Sequence, residues 1–209
     1  MEMWNASVDG FKLEMDRYRP QKPSPQNNSY CHVLRDGPAL GPRSFFGTLY
    51  KQVIQYSMKK LYVTTPYLML EDVMIDALIE AKERGVDVRI ITPNIPDKKR
   101  VKMMTEYNYG VLLKNDIRIY EYTPGFIHTK VIMNEHCAIA GTVNMDYRSF
   151  YLHYENGVWV YDRRFVNRVE KDFMETLEVS HEVTLEEWKN RPAARKFAQY
   201  VLKVFDSLV

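Results

Sequence analysis

Residues 59–94, KKLYVTTPYLMLEDVMIDALIEAKERGVDVRIITPN, carry the alternation of elements that decides the fold. The β-branched and aromatic residues of 59–68 predict a buried strand that runs into a proline turn. Acidic residues in the first turn and Gly85 in the C-cap position predict a helix over 70–85. A second apolar strand is predicted over 86–94. A strand, a helix and a strand in succession are typical of a layered α/β domain.

The alternation continues on both sides of this unit. Further strands are predicted over 30–34, 116–125 and 156–162, and further helices over 44–58, 97–115, 163–179 and 184–206. Pro192 should kink or restart the last helix. Residues 124–144 predict a strand, a tight turn at Asn134–His136 and a returning strand. Because the unit has no internal repeat, we expect one α/β domain over 30–209, with a mixed central sheet flanked by helices.

Composition narrows the class of protein. The chain has 45% hydrophobic and 27% charged residues, which is ordinary for a globular protein. A formal net charge of +2 disfavours a general duplex-binding surface and a nucleic-acid partner. Cys31 and Cys137 lie far apart without metal-ligand spacing, which fits a reducing compartment. Residues 1–29 are interpreted as an N-terminal strap followed by a linker rich in Pro, Ser and Asn.

His128 and Lys130 are the candidate functional pair, within the stretch PGFIHTKVIMNEHCAIAGTVN at 124–144. On a strand the two side chains would project to the same side, about 7 Å apart. An imidazole can attack or protonate near neutral pH, and a fixed ammonium can neutralise non-bridging oxygens, so the pair suits a phosphate. Two polar residues on a strand are more often a solvated face, and the pair alone is weak evidence.

Further residues strengthen the phosphate hypothesis. Asn144 follows a turn at Gly141, where its amide and backbone donors could form an oxyanion pocket. Thr142 offers a hydroxyl to the same pocket. Glu155 could accept the other ring N–H of His128 and fix its tautomer and orientation.

Together, His128-Thr-Lys130, Gly141-Thr-Val-Asn144 and Glu155 resemble the HKD motif of the phospholipase D superfamily. The segments IRIYEYTPGFIHTK, GTVNMDYRSFYLHYENGVWVYD and VTLEEWKNRP, with residues 65–99, resemble the C-terminal half of bacterial cardiolipin synthases. The resemblance runs from about residue 30 to the end of the chain. It implies a phospholipase D-like fold.

The resemblance also implies phosphoryl transfer through histidine, without a metal or another cofactor. One histidine forms a covalent phosphatidyl-histidine, and a second protonates the leaving alkoxide and then deprotonates the incoming alcohol. His128 would be this general acid/base, and Glu155 would orient it. Lys130 and Asn144 would bind the phosphoryl oxygens with the help of Thr142.

Tyr67, Arg148 and His153 are further candidates near the site. By resemblance Tyr67 lines the pocket, whereas an aromatic residue at a strand end also packs readily on the sheet. Arg148 would meet an anionic headgroup or form a salt bridge inside the fold. His153 would line the site or pack near Glu155.

The sequence departs from the family pattern in two places. The family has an Asp five residues after the motif Lys, where this chain has Glu135, and the hairpin is one residue shorter, so that Asn134 takes the place counted back from Gly141. A second HKD motif is absent, since His32, His136, His153 and His181 lack a Lys two residues later. We expect that motif to come from a homodimer mate or from a missing N-terminal half. Residues 3–20 resemble the end of such a first half, which favours a half-protein.

The function implied by the resemblance is phosphatidyl transfer between two phosphatidylglycerol molecules, giving cardiolipin and glycerol. The resemblance also implies a peripheral location on the cytoplasmic side of a bacterial membrane, with an anionic membrane surface as partner. The basic and apolar residues of 191–208 would dock on that surface or pack in the core. Two alternatives stay open: a homodimeric phosphodiesterase acting on lipids or nucleic acid, and a catalytically silent half-domain.

Overall fold

An eight-stranded sheet is the centre of the computed structural model, which describes residues 29–40 and 44–204. The strands, with two that form a separate small sheet, are β1 (Tyr30–Asp36), β2 (Lys60–Thr64), β3 (Leu68–Met69), β4 (Asp87–Pro93), β5 (Arg118–Tyr122), β6 (Val131–Asn134), β7 (Ala138–Gly141), β8 (Met145–Asp146), β9 (Glu155–Tyr161) and β10 (Ser180–Val183). Apart from Ser29, the predicted strap and linker lie outside the described residues.

The large sheet is mixed, with the spatial order β1-β9-β7-β6-β2-β4-β5-β10. β2, β4 and β5 run parallel to one another, and the remaining neighbours are antiparallel. β3 and β8 pair with each other in parallel. The predicted α/β class with a mixed central sheet is confirmed.

Helices cover both faces of the sheet. They are α1 (Phe45–Gln55), α2 (Asp72–Glu83), α3 (Lys99–Lys114), α4 (Tyr147–Tyr151), α5 (Arg163–Glu178), α6 (Leu185–Lys189) and α7 (Ala193–Val204). The larger core lies under α1, α2 and α3, and a smaller one lies under α5. Ile132 belongs to the first core and Met133 to the second, because consecutive strand residues point to opposite faces.

The helix signals in the sequence act as expected in α1 and α2. Ser44 caps α1, with its hydroxyl accepting the Gly47 N–H at 2.8 Å. The buried residues of α2 recur at helical spacing, at Met74, Ala77, Leu78 and Ala81. Gly85 follows the last turn of α2 with φ of 87°, a left-handed conformation that glycine adopts without strain.

Two predictions are corrected by the structure, and three short elements are additional to those predicted. The strand predicted over 59–68 is divided, because the turn at Pro66 separates β2 from β3. The His-x-Lys pair is not on a strand, since β6 begins at Val131 and residues 126–130 are irregular. The short elements β8, α4 and β10 were not predicted, because two to five residues are too few to show a periodicity. By contrast, the predicted break at Pro192 is confirmed, as it separates α6 from α7.

The last described helix, α7, turns polar residues inward and aromatic residues outward. Gln199 is buried and donates to Glu106 of α3 at 3.1 Å, and Arg195 forms a salt bridge with the same carboxylate. Phe197 and Tyr200 are 71% and 62% exposed. Core packing of Phe197 is therefore excluded. Residues 205–209 of the predicted amphipathic segment lie outside the described residues.

Candidate active site

The candidate residues meet at one edge of the large sheet, which we call the carboxyl edge. It is formed by the carboxyl ends of β2, β4 and β5 and by the start of β6, because Thr64 and Val131 are register partners in an antiparallel pair. β7 ends and β9 begins at the same edge, where Gly141 pairs with Gly157. Parallel strands of α/β sheets bind ligands at this edge.

His128 lies in the irregular segment that precedes β6. Its side chain is exposed, and its ring centroid lies 5.5 Å from that of Phe126. The main-chain carbonyl of His128 accepts a hydrogen bond of 2.8 Å from the Lys130 ammonium. The imidazole is thus open to a ligand, and its backbone is tied to the neighbouring cation.

Lys130 carries a buried ammonium, with the residue only 8% exposed. Burial lowers its pKa below the ordinary lysine value, although the carboxylates of Glu155, Asp146 and Asp97 act in the opposite direction. In the described residues, the His128 carbonyl is the hydrogen-bond acceptor of this ammonium. Because that contact uses one of three N–H donors, the ammonium retains donors for a ligand.

Gly141 and Thr142 contact β9 at the end of β7. A Cβ at Gly141 would collide with the backbone carbonyl oxygen of Asn156, so the close approach of the two strands requires glycine. The Thr142 N–H donates to the same carbonyl at 2.9 Å, and its hydroxyl accepts the Asn156 N–H at 2.9 Å. Glycine is therefore required at this motif position by the close approach of β9. The sequence indicated a turn there but not this steric requirement.

Glu155 is buried at the start of β9, and its two oxygens have different partners. The Thr142 hydroxyl donates to Oε2, and His153 Nδ1 lies 3.5 Å from Oε1. Among the described residues, neither oxygen bonds the ring of His128. The orientation of His128 by Glu155 stays a prediction.

Asn144 presents an unpaired acceptor at the site. It is buried, and its side-chain N–H₂ donates to the Ser149 hydroxyl at 3.1 Å. In the part of the chain that the structure describes, Oδ1 has no hydrogen-bond partner. A buried polar atom without a partner is costly, and the predicted binding of a phosphoryl oxygen by Asn144 stays a prediction.

Tyr67 and Arg148 lie at the rim of the site. The Tyr67 hydroxyl donates to Asp97. Burial is the larger cause and this hydrogen bond the smaller cause of a raised tyrosine pKa, so the phenol stays protonated. Arg148 is exposed, and within 29–40 and 44–204 its guanidinium forms no salt bridge. Its predicted role toward an anionic headgroup remains a prediction.

Asp146 and Asp97 are the charged residues near Lys130 that sequence reasoning missed. Asp146 is buried and caps α4 by accepting the Ser149 N–H at 2.7 Å. Burial raises its pKa, and the nearby His153 and Arg148 act against that shift. The Asp-x-x-Ser spacing could have indicated the cap, but not the proximity to Lys130.

The shortened hairpin is closed by the two residues that stand near the family's Asp position. Asn134 Oδ1 accepts the N–H groups of His136 and Cys137 at 2.9 and 3.0 Å. Glu135 accepts the Met58 N–H at 2.9 Å, which ties the hairpin to the segment before β2. Both residues lie at the sheet edge opposite His128, so they brace the hairpin and do not enter the site.

The site combines an exposed imidazole, a buried ammonium and an unpaired amide oxygen. The imidazole can transfer a proton, and the ammonium can neutralise a phosphoryl oxygen. In residues 29–40 and 44–204, no three His, Cys, Asp or Glu side chains are arranged to hold a metal ion.

This fold and this site define a phospholipase D-like domain. The family model described as cardiolipin synthase, PLD-like domain, matches residues 50–177, and the chain belongs to that family. The HKD-type residues lie within the matched range. The match confirms the resemblance that the sequence motifs indicate.

Curated relatives are longer than this chain. Cardiolipin synthase 1 of Staphylococcus aureus is 31% identical over 209 residues, which is 99% of this chain and 42% of the relative. Cardiolipin synthase 2 of Bacillus anthracis is 33% identical over 162 residues, or 77% and 32%. An uncharacterised protein of Streptococcus mutans is 37% identical over 183 residues, or 87% and 40%. The chain thus spans about two-fifths or less of the relatives it matches.

Solved structures support the fold. Nuc of Salmonella typhimurium, a phospholipase D family member, has a TM-score of 0.62 at 16% identity and covers 75% of this chain and 99% of its own. Phosphatidylserine synthase of Haemophilus influenzae has a TM-score of 0.67 at 17% identity, with 88% and 47% covered.

Proposed function

We propose that this chain supplies one histidine half-site of a phosphatidyl-transfer centre, which makes cardiolipin from two phosphatidylglycerol molecules. The observation that carries the proposal is the juxtaposition of exposed His128 and the buried Lys130 ammonium at the carboxyl edge. Family membership and the names of the cardiolipin synthase relatives support a phospholipid as the substrate class.

Each residue has a role that follows from its chemistry. His128 transfers a proton between its imidazole and the leaving or incoming hydroxyl. Lys130 neutralises a non-bridging oxygen of the phosphate, and its burial strengthens that interaction because little water competes. Asn144 binds a phosphoryl oxygen through its side-chain amide, with the help of Thr142.

The second histidine comes from another HKD motif. A chain that spans about two-fifths of its relatives and carries one motif is suited to work beside a second copy or beside another half. The alternative of a homodimeric phosphodiesterase uses the same site with water in place of the alcohol. The products distinguish the two, since transfer yields cardiolipin and hydrolysis yields phosphatidic acid.

An anionic membrane surface is the partner we propose for the outer face of α7. Exposed Phe197 and Tyr200 lie beside the exposed Lys196 there, a combination that suits an anionic lipid interface. No described helix is both long and apolar enough to cross a membrane.

The function is tested by exchanging His128 for glutamine and measuring cardiolipin formation from phosphatidylglycerol micelles. We expect His128→Gln to lower the rate by about 10²- to 10⁴-fold, the usual contribution of a general acid/base. His136→Gln is the matched control, because His136 is exposed in the β6–β7 turn at the opposite sheet edge, and its rate should stay within about twofold. Full activity in His128→Gln would remove His128 from the site.

Mixing identifies the source of the second motif. If two copies share one centre, an equal mixture of wild type and His128→Gln after subunit exchange retains about one quarter of the wild-type rate, whereas independent sites retain about one half. Turnover by a strictly monomeric chain would contradict the two-histidine mechanism. A dimer with no turnover of any phosphodiester would identify a silent half-domain.

A further inference from the structure

His153 lies at the carboxyl edge between α4 and β9, and its surroundings are not those of a packed core residue. The ring is 44% exposed, and its Nδ1 lies 3.5 Å from Glu155 Oε1. Its backbone N–H donates to the Arg148 carbonyl at 3.0 Å, which holds the residue at the end of α4. Nε2 has no partner within the described ranges.

The charges around Lys130 pose a problem for a phosphate ligand. One buried ammonium faces three carboxylates that act on it electrostatically, Glu155, Asp146 and Asp97. A phosphodiester brings a further negative charge to the same place. Repulsion between like charges in a partly buried site costs more than in water, so an additional cation favours binding.

In the described residues, His153 interacts with two of these carboxylates, Glu155 and Asp146. The third, Asp97, accepts the Tyr67 hydroxyl, which stays protonated. Glu155 of β9 contacts His153 Nδ1, and Asp146 at the start of α4 interacts with the imidazole electrostatically.

Arg148 of α4 acts on Asp146 in the same sense as His153, but its side chain is exposed. Lys130 also interacts electrostatically with Glu155 and Asp146.

Neighbouring elements place Asp36 and Tyr50 beside Glu155. Asp36 of β1 is the register partner of Glu155, but its oxygens accept the N–H groups of Gly37, Phe45 and Phe46. Tyr50 of α1 is fully buried, and burial, with the charge of Glu155 as a smaller contribution, raises its pKa, so it stays neutral.

We propose that His153 is a positioning residue which, when protonated, pairs with Glu155 and lets a phosphodiester anion approach Lys130. It acts through Glu155 and is not required to touch the substrate. A phosphodiester would then bind more tightly when His153 is protonated than when it is neutral. The inference rests on the proposed phosphate site and adds its regulation by pH.

The test measures the binding of dimethyl phosphate, a diester that carries one negative charge throughout, by chemical-shift titration of the purified chain at about pH 5.5 and 8.5. His153→Asn keeps an N–H donor for Glu155 but removes the titration. We expect about two- to fivefold weaker binding than wild type at pH 5.5, in the range for partly exposed ion pairs, and no difference at pH 8.5. His136→Asn, next to Glu135 at the opposite edge, should match wild type at both pH values.

The outcomes separate the inference from the function on which it rests. An equal loss at both pH values would assign His153 a structural role. No loss at either pH value would remove it from the site. Each of these results overturns the inference while the phosphate site stands. His153→Gln, a second variant with an amide donor, repeats the comparison if His153→Asn fails to fold. Absence of binding by the wild-type chain at both pH values overturns the phosphate site and the inference together.

Discussion

Lys130 and Lys102 are two buried lysines near the carboxyl edge, and their ammonium groups have different surroundings. Lys102 forms a salt bridge with Glu121 and donates to the Pro93 carbonyl at 2.7 Å. Lys130 bonds the His128 carbonyl, and in the described residues it has no carboxylate within salt-bridge distance. The Lys102 ammonium therefore has its partners within the fold, whereas the Lys130 ammonium has N–H donors that a ligand can use.

The same substitution should have opposite effects at these two positions. Folding lowers the Lys130 pKa, so the folded chain binds that proton less tightly than the unfolded chain, and the charge opposes folding at pH 7. We expect Lys130→Met to raise the free energy of unfolding by about 1 kcal/mol and to abolish dimethyl phosphate binding. Lys102→Met should lower it by about 3 kcal/mol, because Glu121 loses its cationic partner and keeps only the neutral Tyr109 hydroxyl as a donor in the described residues.

Urea unfolding at pH 7 measures both changes. Equal destabilisation by the two substitutions would contradict the view that the Lys130 ammonium is poorly satisfied. Retained phosphate binding in Lys130→Met would exclude this side chain from the phosphate site.

At the scale of elements, the β6–β7 hairpin shows how a departure from the family pattern is compensated. Burial alone would raise the pKa of Glu135, but hydrogen bonds from its own N–H and those of Met58, Lys60 and Lys59 outweigh it and lower the pKa. A carboxylate with a lowered pKa stabilises the fold above its unfolded pKa, and that stability is lost as the pH falls through the folded value.

Glu135→Gln should therefore destabilise the fold in a pH-dependent way. We expect a loss of about 1–2 kcal/mol at pH 7, because the backbone donors lose a charged acceptor, and a much smaller difference near pH 3, where the carboxyl is protonated. Glu175→Gln is the control, since Glu175 forms an exposed pair with Lys171, and the exchange should change stability by less than about 0.5 kcal/mol. Thermal unfolding at the two pH values gives the result, and a constant difference between them would contradict the assigned role.

Much of the element pattern could be predicted because it depends on local periodicity. The strand–helix–strand unit of 59–94 and the break at Pro192 follow from apolar spacing and proline geometry. The irregular segment at 126–130 was mistaken for strand because its alternation continues without a break into β6. Two-residue pairings such as β3 with β8 depend on neighbours distant in sequence, and no local signal predicts them.

For the whole molecule, the outer face of α7 predicts binding to an anionic membrane. The double variant Phe197→Ser, Tyr200→Ser removes two exposed rings and should leave the fold intact. We expect at least about tenfold weaker cosedimentation with vesicles of phosphatidylglycerol and phosphatidylcholine, from the apolar area lost to the interface. The control Tyr56→Ser removes another exposed ring, at the end of α1, and should bind as the wild type does.

Vesicle composition completes this experiment. Binding of the wild-type chain to anionic vesicles and weaker binding to pure phosphatidylcholine would show that charge contributes. If the double variant binds as well as the wild type, α7 is not the docking face.

The sequence alone determined the fold class, the identity of the HKD-type residues and the absence of a second copy of the motif. These follow from periodicity along the chain and from residue types at fixed spacing. Tertiary structure decided which groups come together: Glu155 contacts Thr142 and His153, and Lys130 lies within the electrostatic influence of three carboxylates. The physical reason is that the pairing of β7 with β9 and the meeting of strand ends at one edge bring together side chains distant in sequence, and burial then sets their charges.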